Sequence, residues 1–137
     1  MAKILLVDDD PLLIRMYQTK FELDGDKVVT AGNGQIALEK AKEYKPDIIL
    51  LDVMMPVLDG LVTLKKLKED SELKHTPVVM LTNVSASDTD IEKGLELGAV
   101  SYLVKANYTP KEVVQKVKEI MGAYVRKIPE VKTVIKQ

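Results

Sequence analysis

The chain of 137 residues has no cysteine and no tryptophan, and it has one phenylalanine and one histidine. Without thiols there is no disulfide, no thiolate nucleophile and no zinc–thiolate centre, which suits a reducing compartment. The one histidine, His75, lies in a polar stretch and is assigned no chemistry. Neither sign of charge dominates: 20 Lys and Arg stand against 21 Asp and Glu, a net charge of -1, so no global case arises for binding nucleic acid or a membrane surface. Long apolar runs are missing too; none approaches the roughly 20 residues that span a bilayer. Met1-Ala2-Lys3 leads straight into a short apolar strand flanked by acids, unlike a secretory signal. A soluble, cytoplasmic protein is expected, and the length fits one domain with its own core.

What the chain does have is a series of short apolar runs, each closed by a polar residue. The clearest is Ile48-Ile49-Leu50-Leu51, which ends in Asp52 and is followed by Val53-Met54-Met55-Pro56. Four large apolar residues in a row fit a strand buried on both faces, and Pro56 prevents its continuation. Residues 3–8 form a second such run, followed by Asp9 and Asp10. Val28-Val29-Thr30, Val78-Val79-Met80-Leu81-Thr82 and Tyr102-Leu103-Val104-Lys105 are the others.

Helical patterns lie between them. Asp10-Pro11 is a cap followed by a first-turn proline, with Leu13, Tyr17 and Phe21 at four-residue spacing up to about Leu23. Asp24-Gly25-Asp26 and Asn33-Gly34 read as turns. Ala37, Leu38 and Ala41 form a small-residue face before Lys45-Pro46. Asp59-Gly60 opens a helix with Leu61, Leu64 and Leu67; Ile91, Leu95 and Leu97 mark one that Gly98 ends; Thr109-Pro110 starts the last, with Val113, Val117, Ile120 and Tyr124 on one face.

Five strands alternating with five helices predict an α/β fold: a flavodoxin-like, doubly wound parallel sheet of (βα)5 type with strand order 2-1-3-4-5. Residues 1–124 would form the domain, and 125–137 a basic C-terminal extension or linker stub. In such sheets the ligand crevice lies beyond the carboxyl ends of the strands. Asp8, Asp9, Asp52, Thr82 and Lys105 all fall there. Three carboxylates on neighbouring strand ends stay ionised only beside a cation, either Lys105 or a bound metal. All-oxygen ligation suits magnesium. A carboxylate beside magnesium, a hydroxyl and a lysine meets the needs of phosphoryl transfer, with the carboxylate attacking in line.

At this point the chain resembles the receiver domains of bacterial two-component response regulators, the CheY-like family. The resemblance rests on Leu5-Leu6-Val7-Asp8-Asp9-Asp10, Leu50-Leu51-Asp52-Val53-Met54-Met55-Pro56 with Asp59-Gly60, Leu81-Thr82, and Gly98-Ala99-Val100-Ser101-Tyr102-Leu103-Val104-Lys105. It implies that Asp52 is the phosphoacceptor. Asp9 would ligate Mg2+ directly (Mn2+ being a substitute), Asp8 through water, and Met54 through its backbone carbonyl. Lys105 and Thr82 would bind the phosphoryl oxygens, and Tyr102 would rotate inward as Thr82 moves. The implied partners are a sensor histidine kinase or phosphotransfer protein and an output partner at the surface of the fourth helix, fifth strand and fifth helix. Neither nucleic acid nor membrane is expected to bind this chain directly, and the chain is expected to be a monomer or a phosphorylation-linked dimer. It would be a switch rather than an enzyme, with only self-phosphorylation and slow autodephosphorylation of its own.

Four residues depart from the family pattern, Asn107 and Tyr108 standing where an apolar aromatic more usually comes first. Ala106 replaces the usual proline after the lysine, so a trans peptide and an altered loop are expected there. Asn83 replaces a small residue after Thr82, which bears on phosphate lifetime. Rival readings are weaker. The acids at 8–10 could be a capping cluster alone, and Tyr102 plain core packing. Asp8-x-Asp10 superficially matches the nucleophile motif of haloacid-dehalogenase-like phosphatases, but Leu12 does not fit it. A flavin module would need a hydroxyl-rich loop where the three acids stand. A scaffold that works without phosphorylation is disfavoured by the complete acid, threonine and lysine set, and favoured only by Ala106.

Overall fold

The structure, a computed structural model, describes residues 2–53, 55, 57–82 and 88–126, with 88–90 and 124–126 described by their backbone alone. The strands are β1 (Lys3–Val7), β2 (Lys27–Ala31), β3 (Ile48–Leu51), β4 (Val78–Thr82) and β5 (Ser101–Val104). The helices are α1 (Pro11–Leu23), α2 (Gly34–Tyr44), α3 (Gly60–Glu69), α4 (Asp88–Glu96) and α5 (Pro110–Arg126). All strands pair in parallel in the order β2-β1-β3-β4-β5, the predicted order.

The middle of the sheet is dry on both faces because β3 is apolar throughout, β1 after Lys3 and β4 up to Thr82. In β1, Ile4 and Leu6 face one layer, and Leu5 and Val7 the other; in β3, Ile48 and Leu50 oppose Ile49 and Leu51 in the same way. Tyr17 and Phe21 of α1 and Val113 and Val117 of α5 close the first layer. Ala37 and Ala41 of α2 and Leu64 and Leu67 of α3 close the second. Burying one such leucine contributes about 1.5–3 kcal/mol, so the uninterrupted runs commit these strands to the centre.

The helix starts are fixed by side-chain caps. Asp10 accepts hydrogen bonds from the Leu12 and Leu13 N–H groups at 3.0 and 3.4 Å, and Asp59 accepts one from Val62 at 2.9 Å. Asn33-Gly34, expected as a turn, is the cap and first residue of α2, with Asn33 Oδ1 accepting from the Ile36 N–H at 2.9 Å. At α5, Thr109 and Glu112 form a reciprocal capping box: the Thr109 N–H donates to Glu112 Oε1 at 2.8 Å, and the Glu112 N–H to Thr109 Oγ1 at 3.2 Å. Gly98 ends the α4 segment at φ +113°, as expected of a left-handed helix stop. Between β5 and α5, Lys105–Asn107 make one 3-10 turn, and no peptide among the described residues is cis, as expected for Ala106. Met54, Asn83, the tail from 127 and the Tyr124 side chain, all named in the sequence reading, lie outside what is described.

Candidate functional site: an acidic pocket at the strand ends

The β1 and β3 ladders run one residue past their strands. The Asp8 N–H donates to Ala31 O at 3.1 Å and the Asp52 N–H to Val7 O at 3.0 Å, which fixes both acids at adjacent strand ends. Asp8 is 2% exposed and Asp52 5%, whereas Asp9 is open to solvent. Each offers a carboxylate oxygen within 4.8 Å of the others. Asp52 thus shares one pocket with two acids more than forty positions earlier in the sequence.

The two buried acids are satisfied differently. Asp8 accepts the Asp10 N–H at 2.9 Å on one oxygen and forms a buried ion pair with the Lys105 ammonium on the other. Asp52 has a buried oxygen, Oδ1, that accepts no hydrogen bond from the described residues. Burial pushes the Asp52 carboxyl up to about 6; Lys105 opposes that shift, the Asp8 and Asp9 charges add to it, and the Val53 N–H lowers it. A buried acceptor without a partner costs about 1–3 kcal/mol. A proton or a cation removes that cost. Three carboxylates and an orphaned oxygen are a donor set that fits a hard divalent ion.

The other predicted residues come to the same end of the sheet. Thr82 closes β4, is buried, and stands opposite Val104 in the β4–β5 pairing, one residue before Lys105. Lys105 is buried, with its ammonium against Asp8. Tyr102 is half-buried and packs on the α2–α3 side of the sheet, with Met80 as its pairing neighbour on β4.

Two contributors carry no chemistry that a motif reading would flag. A Cβ at Gly60 would stand 2.1 Å from the Asp52 carbonyl oxygen and 2.7 Å from Val53 Cα. The Gly60 N–H also donates to Val53 O at 2.8 Å, so the first turn of α3 rests directly on the backbone that carries Asp52. The only sequence signal is a glycine just after a capping aspartate. Tyr17 lies buried behind the acids; burial first, and the Asp8 charge second, push its phenol up to about 12, so it stays a neutral wall. In front, a groove of about 440 Å3 opens between Asp9, Val53, Met55, Asp59 and Leu61.

The parallel 2-1-3-4-5 sheet thus gathers three carboxylates, a threonine and a lysine at its carboxyl edge. The family model described as "Response regulator receiver domain" matches residues 4–118, and the chain belongs to that family. The alkaline phosphatase synthesis transcriptional regulatory protein PhoP of Bacillus subtilis is 43% identical over 121 residues, which is 87% of this chain and 48% of that protein. The chain spans about half the length of the curated relatives it matches first. Among solved structures, the Vibrio cholerae chemotaxis protein CheY4 superposes with a TM-score of 0.80 at 34% identity, covering 87% of this chain and 98% of that one. The Mn(2+)-bound form of response regulator Rcp1 gives 0.76 at 28% identity, covering 86% and 92%.

Proposed function

We propose that the chain is a phosphoacceptor switch in which Asp52 takes a phosphoryl group from the phosphohistidine of a kinase or phosphotransfer protein, or slowly from a small acyl phosphate. The observation that carries this reading is the Asp52 carboxylate, buried with one oxygen unsatisfied, beside two further acids and a lysine. An Asp52 oxygen attacks phosphorus in line. The donor's P–N bond breaks, its electron pair leaves with the imidazole nitrogen, and that nitrogen keeps or takes up a proton. Hydrolysis reverses the state: water attacks phosphorus, the P–O bond to Asp52 breaks, and the carboxylate returns.

Asp8, Asp9 and Asp52 would hold Mg2+, with Mn2+ as a substitute and the Met54 carbonyl completing the protein's share. When bound, the ion offsets charge building on the phosphoryl oxygens. Lys105 adds a second positive charge once it turns from Asp8 to the phosphoryl group, and Thr82 donates a hydrogen bond to it. Phosphorylation adds about one to two negative charges at pH 7. Thr82 and Tyr102 then move together, changing the α4–β5–α5 surface that a partner reads by a shift between existing states. Residues 1–124 constitute the switching domain. Direct DNA binding, as in its transcriptional relatives, is not assigned to this chain.

Incubation with Mg2+ and acetyl phosphate, followed by intact-mass measurement, tests the reading. The wild type gains one phosphoryl mass and Asp52→Asn gains none. Equal incorporation by both proteins would refute it.

A further inference from the structure

Gly94 lies in the last turn of α4, still within the helix, where glycine weakens the folding equilibrium by up to about fivefold relative to alanine. Its backbone does not require glycine: Gly25 and Gly98 are the glycines with positive φ among the described residues. What crowds a side chain there is a ring. A Cβ at Gly94 would stand 3.2 Å from both Cδ2 and Cε2 of Tyr102, and 3.7 Å from Met80 Cγ. Met80 is Tyr102's neighbour in the β4–β5 pairing, so the ring lies in a slot with a β4 side chain beside it and bare α4 backbone beneath. Gly94 is buried, while the next residue on α4, Leu95, is 44% exposed.

We propose that Gly94 is a positioning residue, the seat of the Tyr102 ring, and that it links the ring's departure to the position of α4. The inference rests on the phosphoacceptor reading above. No side chain at position 94 intervenes between ring and helix to absorb a displacement. When Tyr102 leaves as Thr82 turns to the phosphoryl group, α4 loses the surface it rests on and settles anew. A methyl group at position 94 crowds the seated ring and leaves the departed state untouched. It therefore favours the phosphorylated arrangement.

Four proteins test this: wild type, Gly94→Ala, Tyr102→Ala and the double variant, each measured for urea unfolding and for beryllofluoride binding with Mg2+ by calorimetry. In the Tyr102→Ala background, alanine at 94 strengthens folding about two- to fivefold through helix propensity, and with Tyr102 present that gain is lost or reversed. With Tyr102 present, Gly94→Ala tightens beryllofluoride binding about fivefold; without the ring it leaves the affinity unchanged. The same folding gain in both backgrounds, or the same affinity shift in both, would overturn the seat. Wild type that binds beryllofluoride with an affinity indifferent to Gly94→Ala would overturn it too. Wild type that binds none would overturn the phosphoacceptor reading itself, while the folding comparison still reads the ring contact independently.

Discussion

Asp52 keeps its proton more tightly in the folded chain, at a pKa of about 6 against a model-compound 3.8, because it is buried among like charges. Between those values the folded state binds more protons than the unfolded state, so this group's contribution to stability falls as pH rises from 3.8 to about 6 and is level above. Asp52→Asn removes that loss. In metal-free buffer at about pH 8 the variant should be more stable than wild type by about 1–2 kcal/mol, and the advantage should vanish towards about pH 4. Urea unfolding across that range measures it, and a constant difference would contradict it. A second residue stores strain next to the site. Val57, at φ +69°, holds a β-branched side chain in the left-handed region while 79% exposed. Val57→Asn should raise stability by about 1 kcal/mol in the same assay. A loss of stability would show that valine is accommodated there without strain.

Among the elements, α3 has the most direct hold on the backbone of Asp52. Alanine at Gly60 would bring its Cβ to 2.1 Å from the Asp52 carbonyl oxygen, so helix or strand end must shift. Gly60→Ala should cost more than about 2 kcal/mol in urea unfolding and should slow phosphoryl incorporation in the folded fraction; wild-type behaviour in both would mean the backbone yields freely. The legibility of the chain follows the same division. The strands could be read because β3 is apolar throughout and β4 up to Thr82, which a doubly covered sheet accommodates. The cluster at their ends could be read because parallel winding sends every strand's exit to one edge. Gly60 and Gly94 could not be read for their roles, since a close approach depends on which backbone or ring stands opposite, and that partner is remote in sequence. The Lys105–Asp8 ion pair was legible in kind, since adjacent strand-end acids need a cation and Lys105 leaves the sheet at the same edge. The Thr109–Glu112 box was legible in principle from its spacing.

For the molecule as a whole, the fold acts as a frame that gathers three like charges at one edge and meets one of them, Asp8, with the buried Lys105. None of the described helices is long and apolar enough to cross a membrane. A ligand that binds only the folded state stabilises it by RT ln(1 + [L]/Kd), about 2.7 kcal/mol at a hundredfold excess over Kd. Mg2+ should accordingly raise the melting temperature of wild type, and Asp9→Asn should lose most of that rise; equal shifts in both would place the ion elsewhere. The most direct measurement locates the phosphoryl group itself. After reaction with acetyl phosphate and Mg2+, borohydride reduces an aspartyl phosphate to homoserine, and peptide mass spectrometry then finds the altered residue. Homoserine at position 52, and its disappearance when Mg2+ is withheld, is the expected result. Homoserine at position 8 or 9 instead, or none at all, would contradict the assignment of Asp52 as the acceptor.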